Sequence, residues 1–280
     1  MNALRQWWGT ALCTLPFVVL MLLFLVAPLL WVAVSAFQNE QGQWSIAAFI
    51  EIGGNPFYQQ ALWQSLQLSF LPSVVGLVVG LMGAYALYQV RDSLFGQLVL
   101  SFNSVLSNFT GVPLAFAFII VLGSNGVVSL LLQMAGVENV PDIYTLSGLM
   151  LVYVYFQIPL AILLLYPAIA SLKAEWRESA ALLGASRWAY WRHIGLPILW
   201  PALLATLVVL FANALGAYAT TYALTTGNFN ILPIRIASLV AGNFSLEPNL
   251  AAAIALLLLG VMLLTMLINQ WLQRHFGGHS

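Results

Sequence analysis

An all-α membrane protein with six transmembrane helices is the fold this sequence predicts, and three observations predict it. Of its 280 residues, 62% are hydrophobic and only 6% are charged, against about a quarter charged in an ordinary soluble domain. The apolar residues gather into six runs, at about Ala11–Phe37, Ala61–Val90, Gln97–Leu122, Leu146–Leu172, Ile198–Leu224 and Leu250–Leu272. Each is near or above the ~20 residues needed to cross a hydrocarbon core. All eight Lys and Arg residues fall outside those runs, where a charge keeps its water. No soluble core hides this much apolar surface, so a lipid bilayer is the expected surrounding. With a formal net charge of zero, nucleic acid is not an expected partner.

The first run follows Arg5, as a secretory signal would. Its length, about 25 residues against ~7–15 for a signal core, predicts a retained helix instead. The single cysteine, Cys13, lies in this run, which excludes an intrachain disulfide and a Cys-based zinc site. Residues 1–60 then form an N-terminal span with its outer loop, and 61–280 a five-helix core. The second run carries Gly76, Gly80 and Ala84 at spacing four, thickened by Gly83. Such a small-residue row lets another helix approach closely, either within the subunit or across a dimer. Proline recurs at 16, 28, 72, 113, 159, 167 and 201, each removing a backbone donor and bending its helix.

No run holds an acid or a base at its middle. An ion-coupled secondary transporter usually keeps one there, so that class is disfavoured; a non-transporting assembly protein is the other alternative. The polar residues inside the runs are neutral: Asn103, Ser104, Ser107, Asn108 and Thr110, then Gln157, then Asn213, Tyr218, Thr220, Thr221 and Tyr222. They either bond across helices or line a path. Asn108 and Asn213 are the first candidates for a path, with Tyr218 and Thr221 beside them, because a buried amide needs up to four partners.

Charge sets the orientation. With the N-terminus inside, Arg5, Arg91, Lys173, Arg177, Arg187, Arg192 and Arg274 are cytoplasmic and only Arg235 is outside. The positive-inside rule selects that arrangement, with both termini cytoplasmic. The outer loops are then Gln38–Gln60, Gly123–Thr145 and Thr225–Asn249, which hold Glu40, Glu51, Glu138, Asp142 and Glu247. In the first of them Trp44, Ile46, Phe49 and Ile50 either lie along the membrane surface or form an ordinary loop.

Catalytic chemistry is missing. The only lysine, Lys173, follows Leu172, so there is no G-x-x-x-x-G-K-[ST] phosphate loop and no ATP hydrolysis by that route. His193, His275 and His279 are too scattered for a metal set. No metal, cofactor or enzymatic activity is expected of this chain.

The densest information lies at 173–197, a polar island between the fourth and fifth runs. Lys173–Leu183 reads as a short amphipathic helix with Trp176, Ala180 and Leu183 on one face. Gly184 suits its end, and Ser186 suits the cap of a second short helix. That second helix is expected to stop near Gly195 and Pro197. Two short helices at an angle make a knob below the membrane. Trp188 and Trp191 would supply apolar contact there, and Glu178, Arg187 and Arg192 charge.

Glu178-x-Ala180, then Gly184, then Ile194-x-Leu196-Pro197 resembles the EAA signature of the permease subunits of ATP-binding-cassette importers, with Ser179 where the first Ala is usual. The six spans and short outer loops extend the resemblance over nearly the whole chain, to the type I importer permease. It implies that Glu178, Ser179, Ala180, Gly184, Ile194, Leu196 and Pro197 belong to cytoplasmic coupling helices that dock on an ATPase. It also implies a bacterial inner-membrane location and three kinds of partner: a cytosolic ATPase dimer carrying ATP and Mg, a second permease subunit, identical or a sister, and an extracytoplasmic solute-binding protein. Gly111–Ser129 (GVPLAFAFIIVLGSNGVVS) resembles the subgroup that moves spermidine and putrescine, phosphonates, opines or ferric iron, so a polyamine, phosphonate or related small solute is expected.

Overall fold

The structure is a computed structural model that describes residues 14–137, 142–241 and 246–276. Arg5, Cys13, Glu138 and His279 lie outside the described residues. Six helices are long and apolar enough to cross a membrane: Thr14–Ala36, Pro56–Gln89, Gly111–Met134, Leu146–Ala170, Arg187–Leu215 and Pro248–Arg274.

In chain order, α1 (Thr14–Ala36) contains one wide turn at Leu22–Val26. After α2 (Ala47–Gly54), the Asn55 side-chain oxygen accepts from the Phe57 amide at 3.0 Å and opens α3 (Pro56–Gln89). Pro72 lies inside α3 and removes one helical donor. Around it Ser69 and Ser73 donate their hydroxyls to the carbonyls of Ser65 and Ser69, both at 2.6 Å. The chain turns at Arg91–Ser93, and the Ser93 hydroxyl accepts from the Gly96 amide at 3.0 Å, capping α4 (Leu94–Leu106).

The third expected span, Gln97–Leu122, is not one helix. It breaks at Ser107–Thr110, and α5 (Gly111–Leu122) starts anew. Gly111 takes φ +71°, which favours glycine. Pro113, in the first turn, has no N–H to continue a helix from Phe109. A short connection then leads to α6 (Val127–Met134), so the expected outer loop at Gly123–Thr145 carries a helix, and the stretch long enough to cross is Gly111–Met134.

Next come α7 (Leu146–Ala170), capped by Thr145, and α8 (Ala174–Leu182). α9 (Arg187–Leu215) begins earlier than the expected fifth span and ends sooner. Gly216 interrupts it before α10 (Tyr218–Thr225). α11 (Leu232–Ala241) lies in the expected third outer loop, and α12 (Pro248–Phe276) closes the chain.

These helices form two compact units. The larger comprises Gln60–Ile234 and Val261–Ser280. One of its cores centres on Leu68, Leu114, Leu149, Tyr153, Phe156 and Ile231, the other on Ala84, Leu87, Ile162, Leu165, Ile169 and Leu199. The glycine row resolves within the subunit. A Cβ on Gly76 would stand 2.7 Å from Gln157 Cβ, one on Gly83 2.8 Å from Ile162 Cδ1, and one on Gly80 would overlap Ala161 Cβ. Between two lipid-solvated helices there is little hydrophobic transfer to gain, so this close van der Waals fit holds α3 on α7.

The smaller unit comprises Met1–Gln59 and Arg235–Gly260. Along α1 apolar side chains stand open, with Phe24 75% and Trp31 70% exposed, a surface that water would not tolerate. Asn39 Oδ1 accepts from the Gln41 and Gln43 amides at 3.1 and 2.8 Å, folding 38–44 into a small turn closed by the Gln38–Trp44 bridge. Phe49 packs on Phe37 at 5.0 Å between ring centroids, while Trp44, Ile46 and Ile50 stay exposed. Arg235 stacks on Phe57 at 4.9 Å, and burial pulls its guanidinium below the usual arginine range.

Candidate coupling knob and polar seam

The knob is built by local chemistry. α8 ends at Leu182 with Leu183 as its cap. The Ala185 amide donates to the Ala180 carbonyl at 2.9 Å and the Gly184 amide to Ala181 at 3.0 Å. This is a Schellman turn, and Gly184 supplies its left-handed residue with φ +79°. The Ser186 hydroxyl then accepts from the Ala189 amide at 3.2 Å and caps α9. Both expected caps are therefore in place.

The expected stop at Gly195 and Pro197 is not. α9 continues through a π-turn at Trp191–Gly195 into the long helix. The Leu196 amide reaches back to Trp191, a spacing of five rather than four, and Pro197 sits in the first turn of the resumed α-helix, where its missing N–H costs little. A Cβ on Gly195 would stand 2.7 Å from the Trp191 ring, so glycine there leaves the indole its place.

Glu178, Ser179, Gly184 and Pro197 are exposed, Ala180 is buried, and Ile194 and Leu196 are half-buried. The signature thus divides: its first half forms the knob, and Ile194, Leu196 and Pro197 form the base of α9. The expected apolar face also changes. Trp176 and Ala180 turn inward, but Leu183 is 88% exposed, as is Leu182. Trp191 packs edge-on against Tyr85 at 5.1 Å, leaving Trp188 outward, 71% exposed. Leu182, Leu183 and Trp188 are therefore the large apolar side chains that the knob exposes. Sequence reasoning put Leu183 on one face with Trp176 and Ala180 and did not single out Leu182, the last residue of α8.

A polar seam runs through the larger unit. Gln157 is fully buried; its amide donates to Ser73 Oγ at 2.8 Å and to the Leu210 carbonyl at 2.7 Å, and its Oε1 accepts from Asn213 Nδ2 at 3.3 Å. Asn103 donates to the Pro159 carbonyl at 3.0 Å, tying α4 to α7. Among the candidate path residues, Asn213 is part of this bridge with an exposed side. Asn108, also exposed, lies in the break and donates to the Ser104 carbonyl at 3.0 Å. Thr221 is buried and shares a hydrogen bond of 2.7 Å with the Tyr153 hydroxyl. Tyr218 stacks beside Tyr222 at 5.1 Å. The structure joins Asn213 to Gln157 and leaves Asn108 apart. The two helix breaks are stitched together: the Gly111 amide donates to Thr220 Oγ1 at 3.0 Å. Gln157 as the hub escaped sequence reasoning; a lone amide amid an apolar run was its only signal.

Comparison with known proteins bears on this arrangement. The sequence model of the family described as binding-protein-dependent transport system inner membrane component matches residues 90–278, a stretch that contains the knob and the seam residues of α7 and α9. The thiamine transport system permease protein ThiP of Salmonella typhimurium is 29% identical over 218 residues, 76% of this chain and 40% of that protein, so the chain spans less than half the length of such relatives. The sulfate transport system permease protein CysW of Escherichia coli K12 is 24% identical over 253 residues, 89% of this chain and 82% of its own. Among solved structures, a chain of a bacterial alginate ABC transporter in complex with alginate pentasaccharide-bound periplasmic protein superposes with a TM-score of 0.80. It is 20% identical and covers 99% of this chain and 98% of its own. A chain of the MetNI methionine ABC transporter gives 0.60 at 15% identity, covering 78% of this chain and 95% of its own. The match over more than half of the sequence, on a helical fold shared with these transporters, places the chain in the family of binding-protein-dependent inner membrane components, the permeases of ABC importers.

Proposed function

We propose that this chain is the membrane-spanning subunit of an ATP-driven importer and that its knob docks on a cytosolic ATPase dimer. The observation that carries the reading is the knob itself. It is a short helix and a helix start, fixed at a glycine turn, presenting Glu178, Leu182, Leu183 and Trp188 outward. α9 is continuous from the knob to Leu215, so a push on the knob travels along it to the break at Gly216 beside α10. There α10 is stitched to α5, which gives nucleotide-driven motion a route to the helix breaks. Asn108, Asn213 and Tyr218 are the polar groups near those breaks with a side open to a passing solute, whereas Thr221 is buried against Tyr153 and supports the path from behind.

The rest of the assembly follows the same reading. ATP and Mg sit on the separate ATPase, a second permease, identical or a sister, completes the path, and a binding protein delivers solute from outside. The chain lies in an inner membrane with both termini cytoplasmic. The cargo is a small solute. The Gly111–Ser129 resemblance favours a polyamine or phosphonate, whereas the relatives' names give thiamine and sulfate, so uptake competition among these four classes is the direct measurement.

The test isolates the intact chain from its own membrane. An ATP-hydrolysing subunit is expected to come with it. Glu178→Lys is expected to keep insertion and lose that subunit, or to uncouple hydrolysis from uptake; normal uptake in this variant removes the docking assignment. For orientation, in a Cys13→Ser background, Gln41→Cys and Gly136→Cys are expected to react with an impermeant thiol reagent outside. Ser186→Cys is expected to react only after permeabilisation, and its labelling in intact cells overturns the topology.

A further inference from the structure

At the knob end of the bundle, where α3 ends and α8 begins, lies a small cavity of about 140 Å³. Three of the chain's cations line it: Arg91 from the turn after α3, Lys173 from the residue before α8, and Arg177 from the first turn of α8. Tyr88, Tyr190 and Trp191 line it too. The first turn of α8 adds the partial positive charge of a helix N-terminus. Among the described residues the only ion pair is Arg91 with Asp92 at 3.6 Å, and Asp92 is 88% exposed, a pairing worth little in water. The Arg91 guanidinium also lies over the Tyr88 ring at 4.3 Å. No carboxylate is within ion-pair distance of Lys173 or Arg177 among those residues.

We propose that this cavity binds the phosphate of an anionic membrane lipid. Three observations fix the chemistry. The cations make it an anion site. Its volume, about 140 Å³, is ample for a phosphate group. Its walls carry tyrosine and tryptophan at the ends of apolar helices, the side chains that settle at a headgroup layer, and basic pockets between such helices take anionic headgroups. The tails would lie outside, along the apolar flanks of the bundle. Such a lipid would pin the start of α8 to the end of α3 and stiffen the base of the knob. The inference needs only that this end meets a headgroup layer, and so does not depend on the solute or on ATPase docking.

The experiment reconstitutes the intact chain, with whatever subunits accompany it, into phosphatidylcholine nanodiscs with and without phosphatidylglycerol. Lipid retained after release is counted by native mass spectrometry. Wild type is expected to retain phosphatidylglycerol in preference to phosphatidylcholine. Lys173→Gln with Arg177→Gln is expected to weaken retention about 30-fold, as two charges at ~1 kcal/mol each imply. Arg274→Gln, a cation outside the cavity, is expected to leave it unchanged. Arg177→Lys, which keeps the charge, is expected to restore most of the binding and covers the case in which the double variant folds poorly. Unchanged retention in the double variant, or an equal loss in Arg274→Gln, overturns the site. Competition by free inorganic phosphate as effective as by the lipid makes it a free-anion site instead. Loss of lipid only from particles that carry the ATPase assigns the cavity to that protein, which also overturns the proposal.

Discussion

The knob and the seam between α3 and α7 are both held by glycine, in opposite ways. At Gly184 nothing lies within 4 Å of where a Cβ would be; the residue is needed for its positive φ alone. At Gly76 and Gly80 the backbone is ordinary helix, and the residues are needed because another helix fills the space. One glycine is a conformational requirement at an exposed joint, the others a steric requirement in a buried contact. The two regions should therefore fail differently: the seam by losing the fold, the knob by losing communication.

The largest effect should come from the seam. Gly80→Leu drives a side chain into Ala161 and should cost about 1–3 kcal/mol or more of packing, seen as a lower unfolding temperature in detergent and a fall in yield of intact protein. An unchanged yield would mean that α3 and α7 are not in close contact. Gln157→Leu comes next, since it strips a partner from Ser73, the Leu210 carbonyl and Asn213 at once, about 1–3 kcal/mol for buried groups left unpaired. Its signature should again be instability. A stable protein with altered uptake would move Gln157 from scaffold to path.

Gly184→Val should cost about 1–2 kcal/mol, confined to the turn. Membrane insertion and yield should stay near wild type while hydrolysis no longer drives uptake. If this variant is unstable instead, the contrast between the two regions disappears. The smallest change in stability should follow Asn213→Leu, which removes one long hydrogen bond from a residue with an exposed side, about 0.5–1.5 kcal/mol at most. Measured uptake with normal yield decides its role: altered transport marks the path, lowered yield marks a bridge, and normal values of both rule out both.

How much of this was legible depends on whether the determining physics was local. The caps at Ser186 and Gly184 were readable because each is fixed by a few neighbouring residues. The apolar spans were readable from hydropathy, yet hydropathy averages over backbone geometry. It ran through Asn108–Pro113 and Gly216 as though neither Pro113's missing donor nor Gly111's positive φ counted, and so fused α4 with α5 and α9 with α10. The stop expected at Gly195 and Pro197 failed for a related reason: the pair breaks an α-helix of regular pitch, but a single wide turn absorbs the lost donor and the helix goes on. The partners of Gln157 come from α3 and α9, more than fifty residues away in each direction, and no local pattern announces them. The Gly76–Gly80–Ala84 row announced a close contact without naming the other side.

The wide turn at Trp191–Gly195 also works as an inserted residue. An α-helix advances about 100° per residue, so deleting one position from this turn would leave a continuous helix but swing Ser186–Tyr190 around the axis of α9 by roughly that angle. The turn thus sets the azimuth of the knob about the axis of α9, independently of the knob's own sequence. A segment transplanted here in place of Ser186–Tyr190 will keep its azimuth only if the wide turn beneath it is kept.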